Sequence, residues 1–141
     1  MKKLLLLCLA ALLLPALVAC GRSSSDRAER SKPRVSISSD AVLLRRAPAA
    51  NAQISPDGTL RIDDIVLPQQ APNRAKLQLL FGHLQMLRQQ ALAEAKPDPD
   101  YRAIPVRSTP EIDQLSGELL QAIPPLQPYR ESFGNLQAER H

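Results

Sequence analysis

Asn51-Ala52-Gln53-Ile54-Ser55-Pro56-Asp57-Gly58-Thr59-Leu60-Arg61-Ile62 is the stretch that sets the fold class. Ala52 and Ile54 alternate with polar residues before the turn, and Leu60 and Ile62 alternate after it. That period of two belongs to strands with one buried face. Pro56 stands at the second turn position, where its fixed φ suits a type I turn, and Gly58 stands where a left-handed residue is tolerated. The segment therefore reads as a tight β-hairpin. Upstream, Val35 and Ile37 alternate with Ser36 and Ser38, Ser38-Ser39-Asp40 reads as a turn, and residues 41–45 return as an apolar strand. Downstream, Asp63-Asp64 turns the chain into a further strand, Ile65-Val66-Leu67, closed by Pro68.

The period then changes. Asn73 is expected to cap a helix running to Lys96, stopped by Pro97 and Pro99. Leu77, Leu80, Leu84, Leu87 and Ala91 fall at spacings of three and four, with Phe81 and Met86 widening the apolar face. A stripe of that width needs a sheet to lie on, and a few short strands need the helix equally. Residues 97–141 hold seven of the 13 prolines. Residues 98–107 read as extended, broken by Pro99 and Pro105. Ser108 and Glu111 stand at capping-box spacing, with Pro110 in the first turn of a second helix. Its apolar face is Ile112, Leu115, Leu119, Leu120 and Ile123, and Pro124-Pro125 ends it. Residues 129–141 read as a weak, poorly ordered last helix anchored by Phe133 and Leu136. The fold class is thus α+β: a small antiparallel β-meander packed on one long amphipathic helix, followed by a Pro-rich segment with a shorter helix.

The beginning of the chain follows different rules. Lys2 and Lys3 precede a leucine-rich run from Leu4 to Leu14, then Pro15 and a zone of mostly small residues ending Leu17-Val18-Ala19-Cys20. The apolar run is about eleven residues, against about 20 for a bilayer-spanning helix. Residues 1–19 therefore read as an export signal. Leu17-Val18-Ala19-Cys20 resembles the lipobox of bacterial lipoproteins, with Val18 bulkier than the commonest residue at its position. The resemblance implies cleavage between Ala19 and Cys20, a diacylglyceryl group on the Cys20 sulfur and acylation of the new amine. Three acyl chains would hold the protein on a bilayer stably, since two already do so. Gly21 in place of Asp implies the outer membrane, facing the periplasm. With Cys8 removed and Cys20 alkylated, no thiol is left for a disulfide.

Four parts follow: the signal, 1–19; the lipidated Cys20 and a flexible tether, 20–34; the meander and long helix, 35–96; and the Pro-rich segment, 97–141. The tether has almost nothing to bury and a root-mean-square reach of about 20 Å. Its five basic residues are expected to add a secondary attraction for anionic headgroups. Cleavage leaves 122 of 141 residues, enough for one small domain. It also removes Lys2 and Lys3, taking the net charge from +4 to +2, too little for a nucleic-acid-binding face.

Residues 51–62, with the strand after them and Arg74-Ala75-Lys76-Leu77 opening a helix, resemble the YggN-like envelope proteins of proteobacteria. The resemblance spans residues 35–96, with Asn73 standing where that family has Gln. That family carries no assigned function, so the resemblance implies a fold and no chemistry.

No catalytic or metal-binding set is expected, and no cofactor. His83 has Leu79, Leu80, Met86 and Leu87 at helical spacing, none of them a ligand. His141 is the last residue of the sequence. Asp63-Asp64 reads as a turn rather than an acid–base pair. Asp98, Asp100 and Tyr101 lack the glycine and glutamate of a calcium loop. No Gly-x-Ser-x-Gly elbow or Gly-rich phosphate loop is present. The expectation is a membrane-tethered, non-catalytic component of the cell envelope, touching the bilayer through Cys20 and a protein partner through its Pro-rich half. The alternative expectation is a small carrier holding lipid or another apolar ligand between sheet and helix.

Overall fold

The structure is a computed structural model, and it describes residues 27–97 and 103–141. The chain divides into two compact units, residues 1–32 and 33–141. In the first, residues 27–31 are helical, so the tether read as flexible carries a helical stretch at its end. Ala28, Glu29 and Arg30 are favourable helix formers, and Glu29 pairs with Lys32 at 2.5 Å one turn on.

In the second unit, the five strands read from the hairpin outward form a continuous antiparallel meander. They are β1 (Arg34–Ile37), β2 (Val42–Arg45), β3 (Ala52–Ile54), β4 (Leu60–Ile62) and β5 (Ile65–Leu67). A long helix, α1 (Ala71–Glu94), follows. Then come β6 (Ala103–Val106), α2 (Pro110–Ala122), a run of 3-10 turns over Pro124–Gly134, and β7 (Leu136–Glu139). The sheet order is β5-β4-β3-β2-β1-β7-β6, with β7 parallel to β1 and antiparallel to β6.

The register places every core residue on one face. Val35 stands opposite Leu44 and Leu136, and Ile37 opposite Val42 and Ala138. Ala52, Ile54 and Leu60 continue the same face, and all of these residues are buried. Onto it α1 lays Leu77, Leu80, Phe81 and Leu84, α2 lays Ile112, Leu115, Leu119 and Leu120, and the 3-10 run lays Leu126 and Tyr129. Residues 33–141 form two layers, helices on one side of a single sheet.

Turn chemistry fixes the meander. Gly58 sits at φ +77°, its N–H donating to Ser55 O at 3.0 Å. Asp57 accepts from the Thr59 N–H and hydroxyl at 3.0 and 2.8 Å. Asp63 and Asp64 both have positive φ, 53° and 62°, as a two-residue hairpin turn requires. The first turn is also clamped to α1. Arg74 Nε–H donates to Asp57 O at 3.0 Å and Nη2–H to Asp57 Oδ2 at 3.2 Å. A Cβ at position 58 would lie 2.5 Å from Arg74 O. Gly58 is thus required both by its backbone and by the approach of the helix.

Several expectations are corrected. The helix begins at Ala71, with Gln70 rather than Asn73 at the cap position and no side chain capping it. Pro72 sits in the first turn, where its missing N–H costs nothing, and so the helix extends past Asn73 toward its N-terminus. Thr109, not Ser108, caps α2, its hydroxyl oxygen accepting from Ile112 N–H at 3.4 Å. Met86 does not widen the buried stripe; it is 70% exposed. The largest correction is at the C-terminus. The segment read as a weak helix holds 3-10 turns to Gly134 and then β7, an inner strand hydrogen-bonded on both sides. Leu136 and Ala138 alternate with Gln137 and Glu139, a short period-two signal that suits the free place beside β1. Residues 33–141 form one compact unit, in which the meander, the long helix and the Pro-rich segment share one core. Residues 1–26, with Ala19 and Cys20, and residues 98–102, with Asp98, Asp100 and Tyr101, lie outside the described residues.

Gly58→Ala should lose about 1–2 kcal/mol or more from the left-handed backbone alone. Gly82→Ala, at an exposed helical site with nothing within 4 Å of the new methyl, should gain about 0.5–1 kcal/mol. Leu136→Ala should cost about 2–5 kcal/mol as a core truncation, where a peripheral tail residue would cost under about 0.5. Urea unfolding of the three variants reads all of these.

Candidate functional site

Between sheet and α1, Leu77, Leu80 and Leu84 from the helix and Ile37, Leu44 and Ile54 from the sheet share one core cluster and are all fully buried. The concave surface lies on the outer flank of α1. One groove of about 430 Å³ runs between the C-terminal half of α1 and the edge strand β6, over Leu87, Ala91, Ile104 and Val106, with Glu94 and Arg107 on its rim. A second, of about 440 Å³, runs between α1 and the start of α2, past His83, Met86, Gln89, Thr109 and Glu111. Leu87 and Gln90 line both, so the two are neighbours along one helix flank. Their floor is aliphatic and their rims carry amides and mixed charge.

The elements that hold this flank are fixed by polar contacts. Arg88 is buried on α1, and its Nε–H donates to Glu139 O of β7 at 2.8 Å. Gln85 Nε2–H donates to Ser38 O at 2.6 Å, in the turn between β1 and β2. Lys76 and Glu118 pair at 2.8 Å, joining α1 to α2. The buried Tyr129 hydroxyl donates to Ala50 O, tying the 3-10 run to the loop before β3. Burial, then the charge of Asp63, pushes the Tyr129 phenol above its usual range.

His83, which has no metal ligand at helical spacing, lines the second groove together with Glu111. The Glu111 carboxyl is held below the usual carboxylate range by its own backbone N–H, then by the Thr109 hydroxyl, then by the field of His83. Two polar groups of this kind can orient a peptide or a small polar group. Among the described residues, no group of three or more His, Cys, Asp or Glu side chains could hold a metal ion. No described helix is long and apolar enough to cross a membrane. Asp63 and Asp64 stand exposed at their turn. Ala19 and Cys20 carry the lipidation reading by sequence alone. The sequence did not point to the groove, because its walls come from three elements and Ile104 and Val106 read there only as part of an extended stretch. Arg88 gave no signal either; its partner is a backbone carbonyl 51 residues away.

The architecture defines a class, a single-sheet α+β domain with helices on one face and an open groove on the helical layer. No protein-family model, curated protein or solved structure matches the chain.

Three exposed carboxylates should make the domain acid-sensitive. Hydrogen bonds from Thr59 lower the Asp57 pKa, those from Lys76 and Gln114 lower Glu118, and Glu111 is lowered as described. A folded pKa below the unfolded one contributes stability above the ordinary carboxylate range and loses it as pH falls through the depressed value. The melting temperature should therefore fall between about pH 5 and pH 2, and fall less in an Asp57→Asn, Glu118→Gln double variant; equal acid slopes would contradict these assignments.

Proposed function

We propose that the chain is a bacterial lipoprotein, held through acylated Cys20 on the periplasmic face of the outer membrane, whose domain works by protein contact rather than catalysis. The lipobox-like Leu17-Val18-Ala19-Cys20, placed behind an apolar run too short to span a bilayer, is the observation that carries the anchor. Among the described residues, the buried core runs from residue 35 to residue 138. The YggN-like resemblance over residues 35–96 is in keeping with an envelope address.

The contact role rests on the grooves beside α1. Their C-terminal walls, Ile104 to Ile112, belong to the Pro-rich half. A carrier would hold its apolar ligand between sheet and helix, and that space is taken up by Leu77, Leu80 and Leu84. The packing supports contact over carriage.

Intact mass of the membrane-extracted protein should equal residues 20–141 plus three acyl chains, and Cys20→Ser should abolish the modification. An unmodified mass in the wild type would remove the anchor. A photo-crosslinking residue at Gln90, in the groove, should capture an envelope protein that the same residue at Gln121, exposed on α2, does not; equal capture would remove the contact role from the groove.

A further inference from the structure

The side of α1 turned away from the sheet carries no charge. Leu77, Leu80, Phe81, Leu84 and Arg88 make its buried side, and at 3.6 residues per turn the crest opposite them runs through Ala75, Leu79, Gly82, Met86, Gln89 and Ala93. All six are exposed, Leu79 by 54% and Met86 by 70%. They recur at alternating intervals of four and three residues, the spacing of a helix–helix seam. The charged residues of α1 are Arg74, Lys76, Arg88 and Glu94, and all of them are turned off the crest. Arg74 is bonded to Asp57, Lys76 to Glu118 and Arg88 to Glu139 O, while Glu94 lines the groove beside β6. The outer face of a surface helix is ordinarily its charged face, and a helix that is hydrophobic all round is a buried one.

Gly82 stands at the middle of this helix, eleven residues after Ala71 and twelve before Glu94. Glycine in a helix interior costs about 1 kcal/mol relative to alanine, and among the described residues nothing lies within 4 Å of the place its Cβ would take. Packing inside one copy gives no reason for it. A second helix crossing the crest there does, because the missing side chain lets two helix axes approach to about 8 Å. Leu79 and Met86 stand three residues before Gly82 and four after it, so in an antiparallel pair each Leu79 meets the Met86 of the other copy. Balance of this kind about a centre is what a two-fold, self-complementary contact requires, and an uncharged crest brings no like charges together. A helix of 24 residues is about 36 Å long and about 10 Å across, so two crests cover on the order of 1,000 Å² of accessible surface in all. That is the size of a weak, reversible complex, and it suits a domain whose core closes within one chain.

We propose that the crest of α1 is an interface with a second copy of this chain, packed antiparallel about Gly82. The proposal rests on the reading of the helical layer as a contact surface, and it names the partner. Met86 and Gln89 also line the second groove, so the second copy lies along that groove's outer lip. Anchoring both copies to one bilayer would raise their effective concentration, which a contact of this size needs.

The test uses the full chain with Cys8→Ser and Cys20→Ser, so that an introduced cysteine is its sole thiol. In sedimentation the chain should pass from monomer to dimer between about 1 μM and about 1 mM, the range of weak complexes. Leu79→Lys with Met86→Lys, both at exposed sites, should lose more than about tenfold in association, since apolar burial is lost and charge is forced into the seam. The same charge placed on α2, Gln121→Lys with Ala122→Lys, should change association by less than about threefold. Circular dichroism melts establish that both variants are folded. Under copper-catalysed air oxidation, Gly82→Cys should give a disulfide-linked dimer, as thiols related across the axis allow. Leu79→Cys should crosslink to Met86→Cys in a mixture better than either does to itself. A chain that stays monomeric to about 1 mM, equal association in the two lysine variants, or preferred self-crosslinking at Leu79→Cys and Met86→Cys would overturn the pairing. Because the chain is purified and unlipidated, failure of Cys20 lipidation or of capture at Gln90 in cells bears on the proposed function alone.

Discussion

The parallel pairing of β7 with β1 is the contact on which the rest of the structure depends. It sets Leu136 beside Val35 and Ala138 beside Ile37, and so makes the last strand an inner one. Without β7, β6 would have no strand to pair with. The flank of α1 would also lose Glu139 O, the carbonyl that receives Arg88 Nε–H, and one groove would lose its β6 wall. Asn135 strengthens the junction, its backbone O accepting from Val35 N–H at 2.9 Å and its side-chain amide donating to Pro33 O at 3.1 Å. Ser132 adds a further link, its hydroxyl donating to Arg45 O at 3.0 Å.

How much of this could be read from sequence depended on how local each signal was. The Asp57-Gly58 turn, the alternation around it and the spacing of Leu77, Leu80 and Leu84 are properties of neighbouring residues, and each fold element they imply is present. The α2 face, Ile112 to Ile123, was legible for the same reason. β7 was not, because Leu136-Gln137-Ala138-Glu139 is too short a run to show its period and its partner lies at the far end of the chain. Asn73 and Ser108 misled as caps because a neighbouring proline moved each helix start. The groove was not legible, because α1 contributes Leu87, Gln90 and Ala91 to it alongside residues of the Pro-rich segment. No residue-level pattern can announce a surface assembled from three elements. The anchor stands at the opposite limit, a signal wholly local to residues 1–20.

The edges of the sheet show how exposed ladders are kept from pairing with other chains. β5 is three residues long and ends at Pro68, although Ile65 and Val66 are exposed on it. β6 carries Pro105 at its centre, where a missing N–H is tolerated on an edge. Short length and proline are ways of blunting an edge strand. They also suit a groove wall, because Pro105 is rigid.

The β1–β7 pair also sets a clock. Asn135 and Pro33, bonded across the junction, stand 102 positions apart. At about 5–20 residues added per second, a growing chain makes β1 roughly 5–20 s before β7. Through that interval β1 can pair with β2 alone, and the edge meant for β7 stays vacant. Long-range closure of this kind is slow to form. The nascent sheet therefore cannot close around β1 until β7 has been made.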